Sequence, residues 1–281
     1  MKIAPFFLFL ITFSFFSACS GTWKKKVPAG DHAGPLIIAH RGGADLAPEN
    51  TLAAFRNAIA LGADMIEIDV HLTKDGRVVV IHDNTVDRTT GGHGRIADLT
   101  LAEIKQLDAG KKFDEKFSGE KVPTLEETME TLDGKVQLLI EIKKDHDSLY
   151  PGLEEKVIEI IHRYNAGKWT VVQSFNKHSV EKVQKADPSL RTFYLLGHNF
   201  PAFYDSLVLF LRQGKTMPSS YTGIAPHYSV LDAGKVDTLH LAGYQVYTWT
   251  VPPKDMQKIV EMKVEGIITN DPDKLTAFLK K

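Results

Sequence analysis

The sequence has a single cysteine, Cys19, so a disulfide within one chain is excluded. Charge is balanced as well: 34 Lys and Arg stand against 35 Asp and Glu, a formal net charge of −1. No overall positive field therefore favours nucleic acid. The apolar run at residues 3–16 is shorter than the ~20 residues that a membrane-spanning helix needs. What is present, 281 residues of which 43% are hydrophobic and 25% charged, suits one large globular domain or two small ones.

The first nineteen residues have the layout of an export signal. Lys2 supplies a minimal positive start, the apolar run follows, and the small residues Ser17 and Ala18 stand directly before Cys19. The sequence therefore predicts an exported protein.

A lone cysteine at this place resembles the bacterial lipoprotein processing site, with Phe16 where that pattern usually has Leu. The resemblance implies a signal peptide at residues 1–18 and a lipid on Cys19. Residues 19–35 would then be a tether, and the protein would be anchored to the periplasmic or cell-surface side of a membrane. Simple cleavage to a soluble product is the alternative.

After the tether, strand-like apolar runs alternate with helix-like patterns, which favours parallel strands covered by helices. The expected helices include 51–61, 153–164, 178–186, 231–242 and 254–264. The expected strands are 36–39, 65–70, 78–81, 136–142, 170–174, 190–196, 223–226, 244–251 and 266–269.

One of these nine strands differs from the rest. Lys74-Asp75-Gly76 is a turn too tight for a crossover, so the strand after it must run antiparallel and carry His82 back opposite Ile68 or Asp69. Eight strands remain, which predicts a (β/α)₈ TIM barrel over residues 36–281 with an added hairpin. A doubly wound open sheet is the competing architecture.

Two segments interrupt the regular alternation, at about residues 84–123 and 197–222. Insertions at the active-site end of a barrel often shape the binding of substrate, so both are expected to be lids at the mouth.

Glu67 and Asp69 lie two residues apart on an expected strand, so they project from one face about 7 Å apart. Two carboxylates directed into a barrel are costly unless a cation lies between them. If the strand were at an edge, both would instead face solvent.

Glu141 lies late in another apolar strand, with Lys143 on the same face. By itself this is the pattern of a structural ion pair. Together with Glu67 and Asp69 it completes an all-oxygen set, which suits Ca²⁺ or Mg²⁺ rather than Zn²⁺.

His40 ends the first strand and is followed by Arg41, which can fork onto phosphate oxygens. His40 and His82 are expected at the same mouth, where they would form an acid and base pair. Glu49 is expected to point into this mouth, whereas Asn50 is interpreted as a helix N-cap.

Trp249 is expected either to line the wall of the pocket or to pack in the core. His71, His93, His178 and His240 are given structural or solvent-exposed roles.

Taken in order, the following segments resemble the glycerophosphodiester phosphodiesterase family: His40–Gly42, Pro48–Thr51, Glu67–Val70, Lys74–Gly76, Val80–Asp83, Glu141–Lys143, Gln173–Phe175, Trp249–Val251 and Gly266–Thr269. One departure is Pro252, where the family often has Asn.

The resemblance implies metal-dependent hydrolysis of glycerophosphodiesters, such as glycerophosphocholine or glycerophosphoethanolamine, to sn-glycerol 3-phosphate and an alcohol. It implies these roles: Glu67, Asp69 and Glu141 for the metal, His40 and His82 for catalysis, Arg41 and Lys143 for phosphate.

Two other functions stay open. One is a related phosphodiesterase that acts on lysophospholipids or phosphoinositides. The other is a non-catalytic surface lipoprotein that binds ligands with its barrel. The expected partners are a small-molecule substrate and the membrane, with neither nucleic acid nor a protein partner implied.

Overall fold

The computed structural model describes residues 34–146, 148–197, 201–215 and 221–280, without the side chains of residues 201–203. The predicted signal peptide, Cys19 and residues 19–33 of the tether lie outside these ranges. Across the described ranges, no helix combines the length and the apolar character that crossing a bilayer requires.

Eight parallel strands close into a barrel. Strand β1 (Leu36–Ala39) pairs with both β2 (Met65–Leu72) and β9 (Gly266–Thr269), so the parallel sheet has no free edge. This confirms the predicted TIM barrel and excludes an open doubly wound sheet. The strands are β1 Leu36–Ala39, β2 Met65–Leu72, β3 Val78–Val80, β4 Gln137–Ile142, β5 Thr170–Ser174, β6 Arg191–Leu196, β7 Gly223–Pro226, β8 Gln245–Thr248 and β9 Gly266–Thr269.

Strand β3 is the antiparallel addition to β2 that the tight turn predicted. Val80 pairs with Val70, and the Ile81 amide donates to the Asp69 carbonyl at 3.0 Å. Extending this register places His82 opposite Ile68. The hairpin therefore returns the chain to the mouth of the barrel.

In the described part of the chain, one helix covers each barrel strand, and α2 (Leu101–Gln106) lies in the connection after β3. The turns that start α2 and α3 (Leu125–Leu132) are fixed by capping boxes, in which a threonine and a glutamate satisfy each other's backbone N–H groups. The helices are α1 Leu52–Ala60, α2 Leu101–Gln106, α3 Leu125–Leu132, α4 Leu153–Arg163, α5 Lys177–Ala186, α6 Pro201–Arg212, α7 Ala233–Leu241, α8 Met256–Glu261 and α9 Pro272–Leu279.

Large side chains fill the inside of the barrel below the mouth. Phe193 and Tyr247 stack with ring centroids 4.0 Å apart, and both are fully buried. Aromatic and branched side chains from the other strands complete this layer. The barrel is thus a packed core, and open space is left at its mouth.

The two segments expected to be lids differ in structure. Residues 84–123 form a true insertion, and their apolar side chains pack with Val79 and Ile81 of the hairpin in a small core. The expectation was wrong for residues 197–222, because they contain α6, the regular helix between β6 and β7. Tyr204, Leu207 and Leu211 of α6 are buried in the layer outside the barrel.

Candidate active site

Three carboxylates meet inside the mouth of the barrel. Glu67 and Asp69 lie on β2, and Glu141 lies on β4 directly beside Asp69 in the strand register. They are 1%, 0% and 7% exposed, and one oxygen from each lies within 4.8 Å of the others. Both β2 acids face inward, so the solvent-facing alternative is excluded.

Cations balance these charges only in part. Lys143 Nζ is 2.7 Å from Glu141 Oε1 and 3.1 Å from Asp69 Oδ1. Burial opposes ionisation of Asp69, but the positive charge of Lys143 and its neighbours keeps the pKa of Asp69 below its ordinary value. The Nε atom of Arg41 lies 3.5 Å from Asp69 Oδ2.

Among the three acids, Glu67 is the one whose negative charge is least balanced by nearby cations. Burial, and then the charges of Asp69 and Glu141, raise its pKa well above the ordinary range. Its hydrogen bonds come from uncharged groups, the Arg41 amide at 3.0 Å and the Gln173 amide at 3.4 Å. Three buried carboxylates, one of them paired to neutral donors, fit a divalent cation with oxygen ligands. Which cation this is stays a prediction.

His40 is held by a chain of hydrogen bonds. Its Nδ1 is 2.7 Å from Asn270 Oδ1, and the Asn270 amide nitrogen donates to Asp45 Oδ1 at 3.2 Å. Because the carboxylate of Asp45 orients the Asn270 amide, His40 Nδ1 must donate to Asn270, which leaves Nε2 as an acceptor in the neutral ring. Burial, and then the charge of Arg41, lower the pKa of His40 to about 4.

The turn after β1 places His40 by a close approach to α1. Gly42 has a φ of 84°, and a Cβ at this position would come within 2.8 Å of the Cβ of Ala54. Glycine is therefore needed here for conformation and for space.

His82 has different partners from His40. Its Nδ1 is 2.7 Å from Asp83 Oδ1, and its carbonyl is 2.9 Å from His71 Nε2. His71 Nδ1 in turn lies 2.9 Å from the Tyr150 hydroxyl. The structural role expected for His71 is therefore confirmed, and it includes holding the backbone of His82.

A network of ion pairs links the two sides of the mouth. Glu49 accepts from Arg41 at 3.0 Å and from Arg88 at 2.7 and 2.8 Å. Arg88 Nε also donates to Asp83 Oδ2 at 2.7 Å. Because both of its oxygens are engaged by arginines, Glu49 supports Arg41. Its contact with substrate stays a prediction.

The interpretation of Asn50 as the N-cap of α1 was wrong. Thr51 caps the helix, since its side chain accepts from the Ala54 amide. Asn50 has a φ of 56°, is 3% exposed and donates from Nδ2 to Asp69 Oδ2 at 2.9 Å. Asn50 therefore helps to hold the carboxylate of Asp69 in place.

Most of the predicted residues line one small cavity of about 70 Å³, which we call the inner cavity, whereas Asp69 and Glu49 are not part of its lining. Trp249 lies at its wall and also packs, donating to the Ala225 carbonyl at 2.9 Å and meeting Phe175 edge to face. The lining is His40, Arg41, Glu67, His82, Glu141, Lys143, Gln173, Phe175, Leu195, Trp249, Thr250 and Ile268.

Sequence reasoning missed Asn50, Asp83, Arg88 and Asn270. Asn270 directly follows the last barrel strand, and a polar residue at that end of a barrel is a signal that could have found it. Asp83 adjoins His82 in the sequence. Arg88 lies in the insertion, where its position could not be predicted.

A closed barrel with acids, histidines and cations at the carboxyl ends of its strands is the architecture of a TIM-barrel enzyme. The site offers oxygen ligands for a hard cation, two histidines for proton transfer, and two cationic side chains that can bind the oxygens of a phosphate. This combination defines the class of the protein as a hydrolase of phosphate esters.

The model of the glycerophosphoryl diester phosphodiesterase family matches residues 40–274, and the chain belongs to this family. It is 45% identical over 248 residues to a glycerophosphodiester phosphodiesterase from Caldanaerobacter subterraneus subsp. tengcongensis, covering 88% of this chain and 98% of that protein. It is 35% identical to a glycerophosphodiester phosphodiesterase from Bacillus subtilis, covering 85% of this chain and 84% of the relative.

Solved structures are similar over the same length. A phosphodiesterase from Oleispira antarctica, in complex with the product sn-glycerol-3-phosphate, has a TM-score of 0.74 and 29% identity, covering 88% of this chain and 98% of that one. A putative glycerophosphoryl diester phosphodiesterase from Silicibacter pomeroyi has a TM-score of 0.77 and 26% identity, covering 90% and 95%.

Proposed function

We propose that the chain hydrolyses glycerophosphodiesters to sn-glycerol 3-phosphate and an alcohol. The observation that carries the proposal is the grouping of three buried acids, two histidines, Arg41 and Lys143 around one inner cavity. The similarity to a phosphodiesterase in complex with sn-glycerol-3-phosphate supports the choice of product.

Glu67, Asp69 and Glu141 would hold a divalent cation, Ca²⁺ or Mg²⁺, which supplies Lewis-acid stabilisation of charge on the phosphate when bound. Arg41 and Lys143 border the same cavity, and each would donate hydrogen bonds to phosphate oxygens. Because Arg41 already forms ion pairs with Glu49 and Asp69, little freedom is lost when it binds an anion.

The two histidines take different roles in this mechanism. His40 Nε2 accepts the proton of the nucleophile, which is water or the neighbouring glycerol hydroxyl, because Asn270 engages the other ring nitrogen. His82 donates a proton to the leaving oxygen. Asp83 stabilises the positive ring before that transfer, as a carboxylate does in other acid and base pairs.

The test uses His40→Ala and His82→Ala on glycerophosphoglycerol and glycerophosphocholine. Each variant should lose about 10²–10⁴-fold in kcat while keeping the wild-type circular dichroism spectrum. A glycerol phosphodiester of 4-nitrophenol has a leaving group that departs without protonation. It should restore turnover to the His82 variant alone. Turnover like that of wild type in either variant on the natural diesters would refute the catalytic assignment, and rescue of His40→Ala instead would reverse the roles.

We also propose that residues 1–18 are removed and that a lipid on Cys19 anchors the chain. The tether at residues 19–35 would then hold the catalytic domain, residues 36–281, at the periplasmic or cell-surface side of a bacterial membrane. The support is the export-signal layout before Cys19. Labelling cells with radioactive palmitate should mark the wild type and leave Cys19→Ala unlabelled. Equal labelling of both would refute the anchor.

A further inference from the structure

A second cavity, which we call the outer cavity, adjoins the inner one and has a volume of about 480 Å³. This is within the range of cavities that bind small molecules. Its lining is His71, His82, Asn84, Glu141, Ile142, Lys143, Lys144, His146, Ser174, Phe175 and Asn176.

The two cavities meet at His82, Glu141, Lys143 and Phe175, which line both. His40 and Arg41 line the inner cavity and do not line the outer one. In the proposed mechanism His82 protonates the leaving oxygen, so the leaving alcohol extends from His82 away from His40. That direction leads into the outer cavity.

Apart from the residues it shares with the inner cavity, the outer cavity has these polar residues in its lining: the amides Asn84 and Asn176, the cation Lys144, the imidazoles His71 and His146, and Ser174. Asn84 and Asn176 are half-buried and Lys144 is exposed. The carboxylate in the described lining is Glu141, and Lys143 already pairs with it at 2.7 Å.

Recognition of a quaternary ammonium uses several aromatic faces. The described lining offers one phenyl or indole face, that of Phe175. A cationic head group would meet the like charge of Lys144, whereas hydroxyl groups would find the amide of Asn84 and the amide nitrogen of Asn176, whose oxygen accepts from the Ser179 N–H as the N-cap of α5.

We infer that the outer cavity binds the leaving alcohol and selects alcohols that carry hydroxyl groups and no positive charge, such as glycerol or inositol. The inference rests on the proposed function and narrows the range of glycerophosphodiesters that the protein would hydrolyse. Asn84 and Lys144 become specificity-determining residues of the same reaction.

The experiment compares kcat/KM for glycerophosphoglycerol, glycerophosphoinositol and glycerophosphocholine. The wild type should prefer the two polyol diesters by about tenfold, the value of one ordinary interaction of ~1.4 kcal/mol. Lys144→Ala should raise kcat/KM for the choline diester, and this gain should shrink from about 50 mM to about 500 mM salt because screening weakens the repulsion in the wild type. Asn84→Ala should lower kcat/KM for the polyol diesters more than for the choline diester. Lys258→Ala, which removes an exposed lysine from α8, is the matched control.

Inhibition by sn-glycerol 3-phosphate separates the two cavities, because in the proposed mechanism this product binds at the inner one. Its inhibition constant should change less than twofold in Asn84→Ala and Lys144→Ala. Equal kcat/KM for the three diesters in the wild type, or an equal loss for all three in the variants, would overturn the inference and leave the proposed function standing. Failure to hydrolyse any of the three would overturn both.

Discussion

Replacing Glu67 with Gln tests whether the buried acids form a cation site, because the change removes charge and nearly preserves shape. Glu67 lies within 4.8 Å of Asp69 and Glu141. At an effective dielectric constant of about 20, two ionised groups at that distance repel by about 3.5 kcal/mol. In the metal-free protein this repulsion, added to the larger cost of burial, raises the pKa of Glu67.

The sign of the pH dependence follows from that raised pKa. Above the ordinary pKa of 4.5 the unfolded chain has released the proton, whereas the folded chain retains it. The wild type in EDTA therefore loses about 1.4 kcal/mol of unfolding free energy for each pH unit, until the folded pKa is passed. Glu67→Gln lacks this loss. Relative to the wild type it should therefore become more stable from pH 5.5 to pH 7.5, by up to about 1.4 kcal/mol for each pH unit that lies below the folded pKa.

Added Ca²⁺ should reverse the order of stability. At a free concentration about 100 times its Kd, a bound ion stabilises the folded state by about 2.7 kcal/mol. For a domain of this size, that gain raises Tm by roughly 5–10 °C. Glu67→Gln has lost a ligand and should show little of this rise.

The assay is urea denaturation in EDTA at both pH values, together with thermal melts with and without Ca²⁺. Glu159→Gln, the same chemical change on the exposed face of α4, is the control. If Glu67→Gln were less stable than the wild type at both pH values in EDTA, and melted at a Ca²⁺-raised temperature like the wild type, the reasoning would be refuted.

Three further predictions concern residues around the site and in the insertion. Lys143→Met removes the cation of a buried ion pair and should lower the free energy of unfolding in EDTA by about 3–5 kcal/mol. Urea denaturation should show that Ca²⁺ restores part of this stability, and a variant whose urea midpoint does not respond to Ca²⁺ would contradict the prediction. Asn270→Ala frees the His40 ring and should lower kcat about 10²-fold with KM little changed; unchanged kcat would count against this positioning role. Backbone N–H groups hold the pKa of Asp108 at about 2, below its ordinary 3.8, so its stabilising contribution is present above pH 4 and lost as pH falls toward 2. Asp108→Asn should therefore be less stable than the wild type at pH 7 by urea denaturation, with a smaller difference at pH 3; a difference independent of pH would exclude this explanation.

The inward-facing acids could be predicted from the sequence because their geometry is local. A period of two puts Glu67 and Asp69 on one face of β2, and the turn at Lys74–Gly76 determines where His82 returns. These features depend on backbone geometry over a few residues.

The partners of these groups could not be predicted, because they arrive from distant parts of the chain. Asn270 lies 230 residues from His40, and Arg88 reaches Glu49 across 39 residues. Helix α6 was missed because its outer face is apolar as well. Leu209 is 58% and Phe210 36% exposed, so the alternation of apolar and polar residues that marks a surface helix is weak there.

The most direct test is to follow hydrolysis of glycerophosphoglycerol by ³¹P NMR with protein stripped by EDTA and then given back Ca²⁺ or Mg²⁺. The account predicts no turnover in EDTA and release of sn-glycerol 3-phosphate when a divalent cation is restored. Turnover by fully stripped protein at the rate of the restored enzyme, or the absence of sn-glycerol 3-phosphate under both conditions, would contradict it.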